Sequence, residues 1–358
     1  MKLAEFKLFR YAIPLKAPVK LAKTLMNKRE GLILQITNED GLFGFGEIAP
    51  LPGFSPESLS EAESEIMSVG NSHSENFSTD NLRELMAGSH SSVKFGVEAA
   101  LLDLEAKTKG VRICDLLSKA PLKTISVNGL LTGAPDEILK RAAAYGRVGY
   151  KAVKLKVGSN NVEDDIAITR HVRKVIGEKI LLRLDANRAW NIADARKFCD
   201  AVKECTIDYL EEPLSDINSL VPALENNSLA VPLALDETTR EITPGELTKF
   251  AKVKAIVLKP TLLGLENSLR FAEKAHALGI TPVIGSSFES GLGLSVLAHI
   301  AAAVNSEDIP AGLDTHSWFA NDVIEGSLPV KKGLINLAEL PDFETVLNSG
   351  LLNEEVLS

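Results

Sequence analysis

Three features of the chain predict an α/β fold in which a closed barrel of strand–helix units follows a smaller α+β unit. First, six short apolar runs recur roughly every 25 residues between Val153 and Ser286, and each ends in a charged or hydroxyl residue. Second, the gaps between them fit one helix and two loops, as parallel strands joined by helical crossovers require. Third, the opening 120 residues lack this repeat and read as a meander followed by helices. These features predict a modified TIM-type (β/α) barrel of about seven to eight units. The expected division is an α+β capping domain at 1–120, a catalytic barrel at 121–318, and a C-terminal segment at 319–358 that returns to the capping domain.

In the first part, Phe6 to Ile13 and Gly31 to Thr37 read as strands, and Gly41 to Glu47 as a turn into a third. Their connections are too short for helical crossovers, so the pairing is antiparallel. Helical patterns follow at Pro56 to Met67 and Ser91 to Lys107; the second carries Val93, Gly96, Val97, Ala100, Leu101 and Leu104 on one face. The patch Gly70 to Ser78 reads as an exposed loop. Barrel strand one is expected at Thr124 to Asn128. Later strands are Val153 to Lys156, Leu181 to Asp185, Tyr209 to Glu211, Leu233 to Asp236, Ile256 to Lys259 and Pro282 to Ser286, with Ala311 to Leu313 closing the barrel. Helical spacers are expected at Val162 to Ile176, Ile192 to Glu204, Leu265 to Leu278 and Leu292 to Ala303. Beyond Phe319, strand-like pieces at Ile324 to Val330 and Gly333 to Ala338 are expected to rejoin the capping domain.

The 358 residues are 45% apolar with a net charge of −9. That charge argues against nucleic acid or an anionic membrane as partner. No apolar stretch is long enough to span a membrane, and Met1 to Phe9 does not read as a signal peptide. Cys114, Cys199 and Cys205 show neither a disulfide nor a metal-ligand pattern. The expected setting is the cytoplasm. The six histidines lack ligand spacing, His316 reads as loop decoration, and no phosphate-binding glycine loop is present. Oligomeric state is not encoded in any visible heptad or apolar stripe.

The chemistry collects at strand ends, where a parallel barrel places its active site. Asp185, Glu211 and Asp236 end consecutive strands about 4.8 Å apart, so their carboxylates can converge on one ion. Oxygen ligands alone select a hard cation, Mg²⁺ or Mn²⁺. The competing explanation is that each caps the helix that follows. Lys154 and Lys156 alternate with Val153, Leu155 and Val157, which puts both ammonium groups on one face. Inside a barrel that face is the lumen, where lysines are costly unless used; on an exposed edge they would guard against aggregation. Lys259, before Pro260, is placed across the mouth, or else is a solvated strand end. Ser286 to Gly291 could present helix-start amides to an anion. Gly312 permits close approach of backbone to a ligand, and Pro50 to Ser55 is either a loop over the mouth or a structural turn.

With these residues the chain resembles the enolase superfamily, in its muconate-lactonising branch. The matching pieces are Lys154 to Lys156, Asp185 to Trp190, Glu211 to Pro213, Asp236 to Thr238, Lys259-Pro260 and Ser286 to Ser290. More narrowly, Gly46 to Ser55, Ser92 to Glu98 and Gly312 to Thr315 are similar to the o-succinylbenzoate synthases of menaquinone or phylloquinone biosynthesis. The resemblance implies Asp185, Glu211 and Asp236 as Mg²⁺ ligands (Mn²⁺ being the alternative), with Glu212 beside them but not coordinating. It implies Lys156 as base and acid, Lys154 as its assistant, and Lys259 as the cation across the ring. Ser286 and Gly312 would touch the succinyl part of a small carboxylate substrate, and Arg183 would bind or order it. The implied reaction is a syn-dehydration; the alternative is an N-succinylamino-acid racemase or dipeptide epimerase. The epimerase pattern Asp-x-Asp is broken here, since Asp314-Thr315-His316 lacks the second Asp. A barrel that binds a metal or acid without catalysis is disfavoured by the cost of inward lysines.

Overall fold

The computed structural model describes residues 1–21, 24–71, 77–159, 161–326, 328–341, 347 and 349–355. Most of the Gly70 to Ser78 patch lies outside them.

The chain opens with β1 (Leu3–Leu21), β2 (Thr24–Asn38) and β3 (Phe43–Ile48), which pair antiparallel in sequence order as the short connections require. Helices α1 (Leu59–Asn71), α2 (Thr79–Leu85), α3 (Ser91–Lys109) and α4 (Ile113–Leu117) follow. Helix α3 lies very close to β3. A Cβ on Gly46 would stand 1.8 Å from the Gly96 carbonyl oxygen, and one on Gly44 2.3 Å from that of Ala100. Glycine at these positions therefore permits the contact, and it fixes the neighbouring Glu47.

The barrel strands are β5 (Asn128–Leu131), β6 (Ala152–Lys156), β7 (Leu181–Asp185), β8 (Ile207–Glu211), β9 (Leu233–Leu235), β10 (Ala255–Leu258) and β11 (Thr281–Ile284), all parallel and in chain order. The expected strand at Ala311 to Leu313 closes the ring through single parallel bridges, Val127 to Ala311 and Gly285 to Gly312. Its ladder includes Asn128 N to Ala311 O at 2.8 Å and Ser286 N to Gly312 O at 3.0 Å. Around the strands run α5 (Pro135–Val148), α6 (Val162–Ile176), α7 (Ile192–Val202), α8 (Leu220–Glu225), α9 (Pro260–Leu263), α10 (Leu265–Ala277) and α11 (Gly291–Val304). Helix α6 shows why its bounds are sharp. Asn161 accepts from Glu163 N at its start, acids fill the first turn, and Arg173 and Lys174 fill the last. Between β9 and β10 the crossover is 3₁₀ turns at Glu237–Arg240 and Pro244–Phe250 rather than an α-helix.

Two expectations need correction. The stretch Thr124 to Asn128 is not one strand: β4 (Thr124–Ser126) turns away and pairs antiparallel with β13 (Leu334–Asn336), itself paired with β12 (Val330–Lys331). The first barrel strand begins only at Asn128, because Ser126 is claimed by Asp308, whose carboxylate accepts from its backbone N at 2.7 Å and its Oγ at 2.6 Å. Consequently the pieces near residues 330–338 do not rejoin the first sheet. They cover the N-terminal end of the barrel, and the return is made later by β14 (Leu352–Glu355), which pairs with β1.

Candidate active site

Strand β6 buries Val153 and Leu155 outward against the helical layer, which turns Lys154 and Lys156 into the lumen. Register then aligns Lys156 with Asp185, and Asp185 with Glu211. Asp236 lies just past β9, and Lys259 caps α9 just past β10. All six side chains meet at the C-terminal mouth. The Lys154 ammonium lies 2.8 Å from Asp185 Oδ2 and 2.7 Å from Glu211 Oε1. Lys156 Nζ donates to Asp185 Oδ2 at 2.6 Å and to Asn187 Oδ1 at 2.7 Å. Lys259 donates to Asp236.

The carboxylates share one mouth without forming a ready cage: among the described residues no three His, Cys, Asp or Glu side chains are gathered as an ion-holding cluster. The physical reason is mutual repulsion, relieved in this structure by ammonium groups inserted between the acids. The donor set still fits a hard divalent cation. Asp185, Glu211 and Asp236 are almost wholly buried, and Glu211 Oε2 is buried with no hydrogen-bond partner among the described residues. An orphaned carboxylate oxygen of this kind calls for an explanation, and a cation is the simplest.

The electrostatics are those of a strained charge cluster. Burial would raise the Asp185 carboxyl, but Lys154 and Lys156 hold it far below the usual carboxylate range. Burial and then the charge of Asp185 push Glu211 well above it. Asp236 is drawn down by Lys259 and Lys154 against its own burial. Burial opposes the charge on Lys154, yet Asp185, Glu211 and Asp236 lift its pKa well above that of a free lysine. The backbone is also strained here: Asn187, Arg188 and Glu212 have φ of 43°, 60° and 42°. Glu212 does not join the other acids. It accepts from Asp236 N at 2.9 Å and Thr238 N at 2.7 Å, and so anchors the loop that carries Asp236.

A cavity of about 420 Å³ opens over the cluster, with Lys154, Lys156, Lys259, Ser286 and Gly312 in its wall. Leu51 and Phe54 close it from the Pro50 to Ser55 segment, and Val19 and Leu21 from the end of β1, which favours the lid reading of that segment over a plain turn. Arg183 does not line the cavity, which corrects its assignment as a substrate contact. Two residues deeper on β7, it is spent on Asp208 (3.0 Å) and on Asn128 Oδ1 (3.1 Å). The helix-start amides are likewise taken. Gly291 N donates to Asp322 at 2.9 Å and Gly293 N to Glu47 Oε2 at 2.9 Å, so the anions there are the protein's own. His316 is also outside the lining, and burial lowers its pKa to about 4. Sequence reasoning gave no role to Asn187 and Tyr209, and met Asp314 only as the first Asp of a broken epimerase pattern; all three stand in the wall. Tyr209 begins an apolar strand run, where no local pattern sets it apart from a core aromatic. The cysteines are buried free thiols.

No helix among the described residues is long and apolar enough to cross a membrane. A family model described as "Enolase C-terminal domain-like" matches residues 137–342, and one described as "MenC, N-terminal domain" matches residues 3–104. The chain is 35% identical over 322 residues to the o-succinylbenzoate synthase of Pasteurella multocida, covering 87% of this chain and 89% of that protein. It is 36% identical over 317 residues to the enzyme of the same name from Haemophilus influenzae, with the same coverages. It is also 32% identical over 350 residues to the chloroplastic protein PHYLLO of Arabidopsis thaliana, of which it spans only 20%. Among solved structures, a muconate lactonizing enzyme from Pseudomonas fluorescens superposes with a TM-score of 0.87 at 22% identity, covering 98% of this chain and 99% of that one. The L-Ala-D/L-Glu epimerase of Bacillus subtilis gives 0.84 at 25% identity, with 95% and 97% covered. With a paired-lysine, three-carboxylate mouth on this barrel and matches of this length, the chain belongs to the o-succinylbenzoate synthase family of the enolase superfamily.

Proposed function

We propose that the cavity takes 2-succinyl-6-hydroxy-2,4-cyclohexadiene-1-carboxylate and eliminates water to give 2-succinylbenzoate. The observation that carries this reading is the pair of lysines, Lys156 and Lys259, in the wall of one cavity, each paired with a carboxylate buried behind that wall. Asp185, Glu211 and Asp236 would hold a divalent cation, Mg²⁺ by the hardness of its oxygen donors, and when bound it supplies fixed positive charge beside the substrate carboxylate. A proton α to a carboxylate is very weakly acidic, so positive charge must meet the dianion that forms when it leaves. Lys156 removes that proton and returns it to the departing hydroxyl on the same face. One group therefore serves as base and then as acid. Lys259 faces the developing charge from the other flank, and burial strengthens its pull. Lys154, locked between Asp185 and Glu211, keeps the carboxylates in place beneath Lys156. Ser286 and Gly312, on the adjoining wall, would contact the succinyl arm.

The same two lysines on opposite flanks would also suit racemisation of an N-succinylamino acid, where each serves one face of a carbon. One experiment separates the two. Ultraviolet detection of aromatic product from the dienyl substrate, with EDTA and after Mg²⁺ is restored, is run beside a racemisation assay. Metal-dependent aromatisation supports dehydration; racemisation without aromatisation would overturn it.

A further inference from the structure

Arg29 lies on β2 and is 1% exposed. Its guanidinium makes four hydrogen bonds, all to backbone carbonyl oxygens. It donates to Phe288 O at 2.9 Å, Pro50 O at 2.8 Å, Glu30 O at 3.0 Å, and Ala49 O. Burying a guanidinium is expensive, and a planar fork satisfied by carbonyls alone fixes the geometry of whatever carries them. Three of those carbonyls belong to the two walls that enclose the cavity, from distant parts of the chain. Ala49 and Pro50 lead into the segment whose Leu51 and Phe54 cover the mouth, and Phe288 itself lines the cavity two residues after Ser286.

The Phe288 end needs holding. Its φ of 61° lies in the left-handed region, which an aromatic residue adopts only at a cost. Its amide takes the Ser286 hydroxyl as acceptor at 2.8 Å, so a shift of Phe288 also moves Ser286. Glu47, also from the first sheet, fixes the next residues: it accepts from Ser290 N at 3.0 Å, Ser290 Oγ at 2.7 Å and Gly293 N at 2.9 Å, and takes a further bond from the Tyr11 hydroxyl. The segment from Ser286 to Gly293 is thus set by two buried side chains of the capping sheet.

We propose that Arg29 is a positioning residue for substrate specificity, one that sets the spacing between the Leu51–Phe54 wall and the Ser286–Phe288 wall without touching substrate. The assignment rests on the functional reading above for its activity arm only. The test uses the full-length protein as Arg29→Met and Arg29→Lys. A lysine keeps the charge but cannot reach Phe288 O and Pro50 O together, so it should not rescue; it also serves if the methionine variant fails to fold. Amide hydrogen exchange is followed at Leu51 to Ser55 and at Ser286 to Phe288, with steady-state kinetics on the dienyl substrate and calorimetric titration of Mg²⁺ alone. Both segments should exchange faster together. KM should rise so that kcat/KM falls more than about 10-fold, with kcat changed far less, since a 1 Å misplacement is that costly. Mg²⁺ affinity should stay within about threefold, because none of the proposed ligands is tied to Arg29. Unchanged exchange in either segment overturns the proposal, and so does kcat/KM within twofold of the parent in folded protein. An inactive parent would sink the functional reading instead, leaving the coupled exchange to decide the role of Arg29.

Discussion

Two buried ionic clusters sit one above the other in the same barrel, and they differ in completeness. The lower one joins Arg183, Asp208 and Lys254. Both Asp208 oxygens are used, Oδ2 by Arg183 at 3.0 Å and Oδ1 by Lys254 at 2.6 Å, and Arg183 also stacks over Tyr209 at 4.9 Å. The upper one joins three lysines to Asp185, Glu211 and Asp236, leaves Glu211 Oε2 without a hydrogen-bond partner among the described residues, and opens on the cavity through its lysines. The first is closed chemistry and serves the fold; the second is open chemistry held ready for a ligand. Buried charge alone does not mark a site. An unpartnered carboxylate oxygen buried behind a cavity wall does.

Substituting one lysine of the upper cluster tests that contrast most severely. Lys156→Ala should lower turnover by about 10³-fold or more, the scale of a lost general base, while Mg²⁺ titration and the melting temperature stay near those of the parent. Retained turnover would show that the open cluster is not the reacting one. In the lower cluster the expected pattern reverses. Arg183→Met leaves Asp208 buried with one half-exposed partner, so unfolding in urea should show a loss of about 3 kcal/mol, while kcat per folded molecule stays within a few-fold. A large fall in kcat at unchanged stability would erase the distinction between the two clusters.

The clusters were not equally readable in the sequence. The upper one was, because strand alternation is local: Lys154 and Lys156 face inward wherever Val153 and Leu155 face out, and Asp185 and Glu211 end runs of fixed length. Helix α6 was readable to the residue because its cap and end charges are also local. What failed was non-local. The break between β4 and β5 depends on Asp308, far along the chain from Ser126. The supposed anion site at the start of α11 is filled by Glu47 and Asp322, which no pattern around Ser290 could announce. Arg183 enters as a site residue only through the family resemblance, and its partners place it in the lower cluster. The 3₁₀ crossover after β9 shows just Pro244 and Gly245 as a signal.

Asp314 supplies an intermediate case, a buried acid in the cavity wall with hydroxyls rather than cations for partners. Tyr150 Oη donates to it at 3.1 Å, Tyr145 also bonds to it, and burial lifts its pKa from 3.8 to about 7. The folded state then binds a proton that the unfolded chain has lost between pH 4 and pH 7. Stability should therefore fall as pH rises through that window, by roughly 2 to 4 kcal/mol in total, and no further above it. Asp314→Asn removes the titration and keeps an acceptor for the tyrosines. Its melting temperature should be flatter than the parent's from pH 4 to pH 7 and higher at pH 8. Parallel profiles for the two proteins would mean that Asp314 is charged in the folded state throughout.

Lys254→Ala is the mildest test, and it asks which cation closes the lower cluster. Lys254 is 48% exposed while Arg183 is 2% exposed, so solvent and salt screen the first and not the second. Both hold the Asp208 carboxyl below its usual range against its burial, Arg183 more strongly. A lowered folded pKa adds stability that is present above the unfolded value and is lost as pH falls through the folded one. Removing Lys254 should therefore cost less than about 1 kcal/mol at neutral pH, vanish in molar salt, and barely move the acid limb of the stability profile. Removing Arg183 should cost the same at low and high salt and shift that limb upward. A Lys254→Ala loss as large as that of Arg183→Met would mean that Asp208 needs both cations equally, and that the lower cluster is more open to solvent than its burial implies.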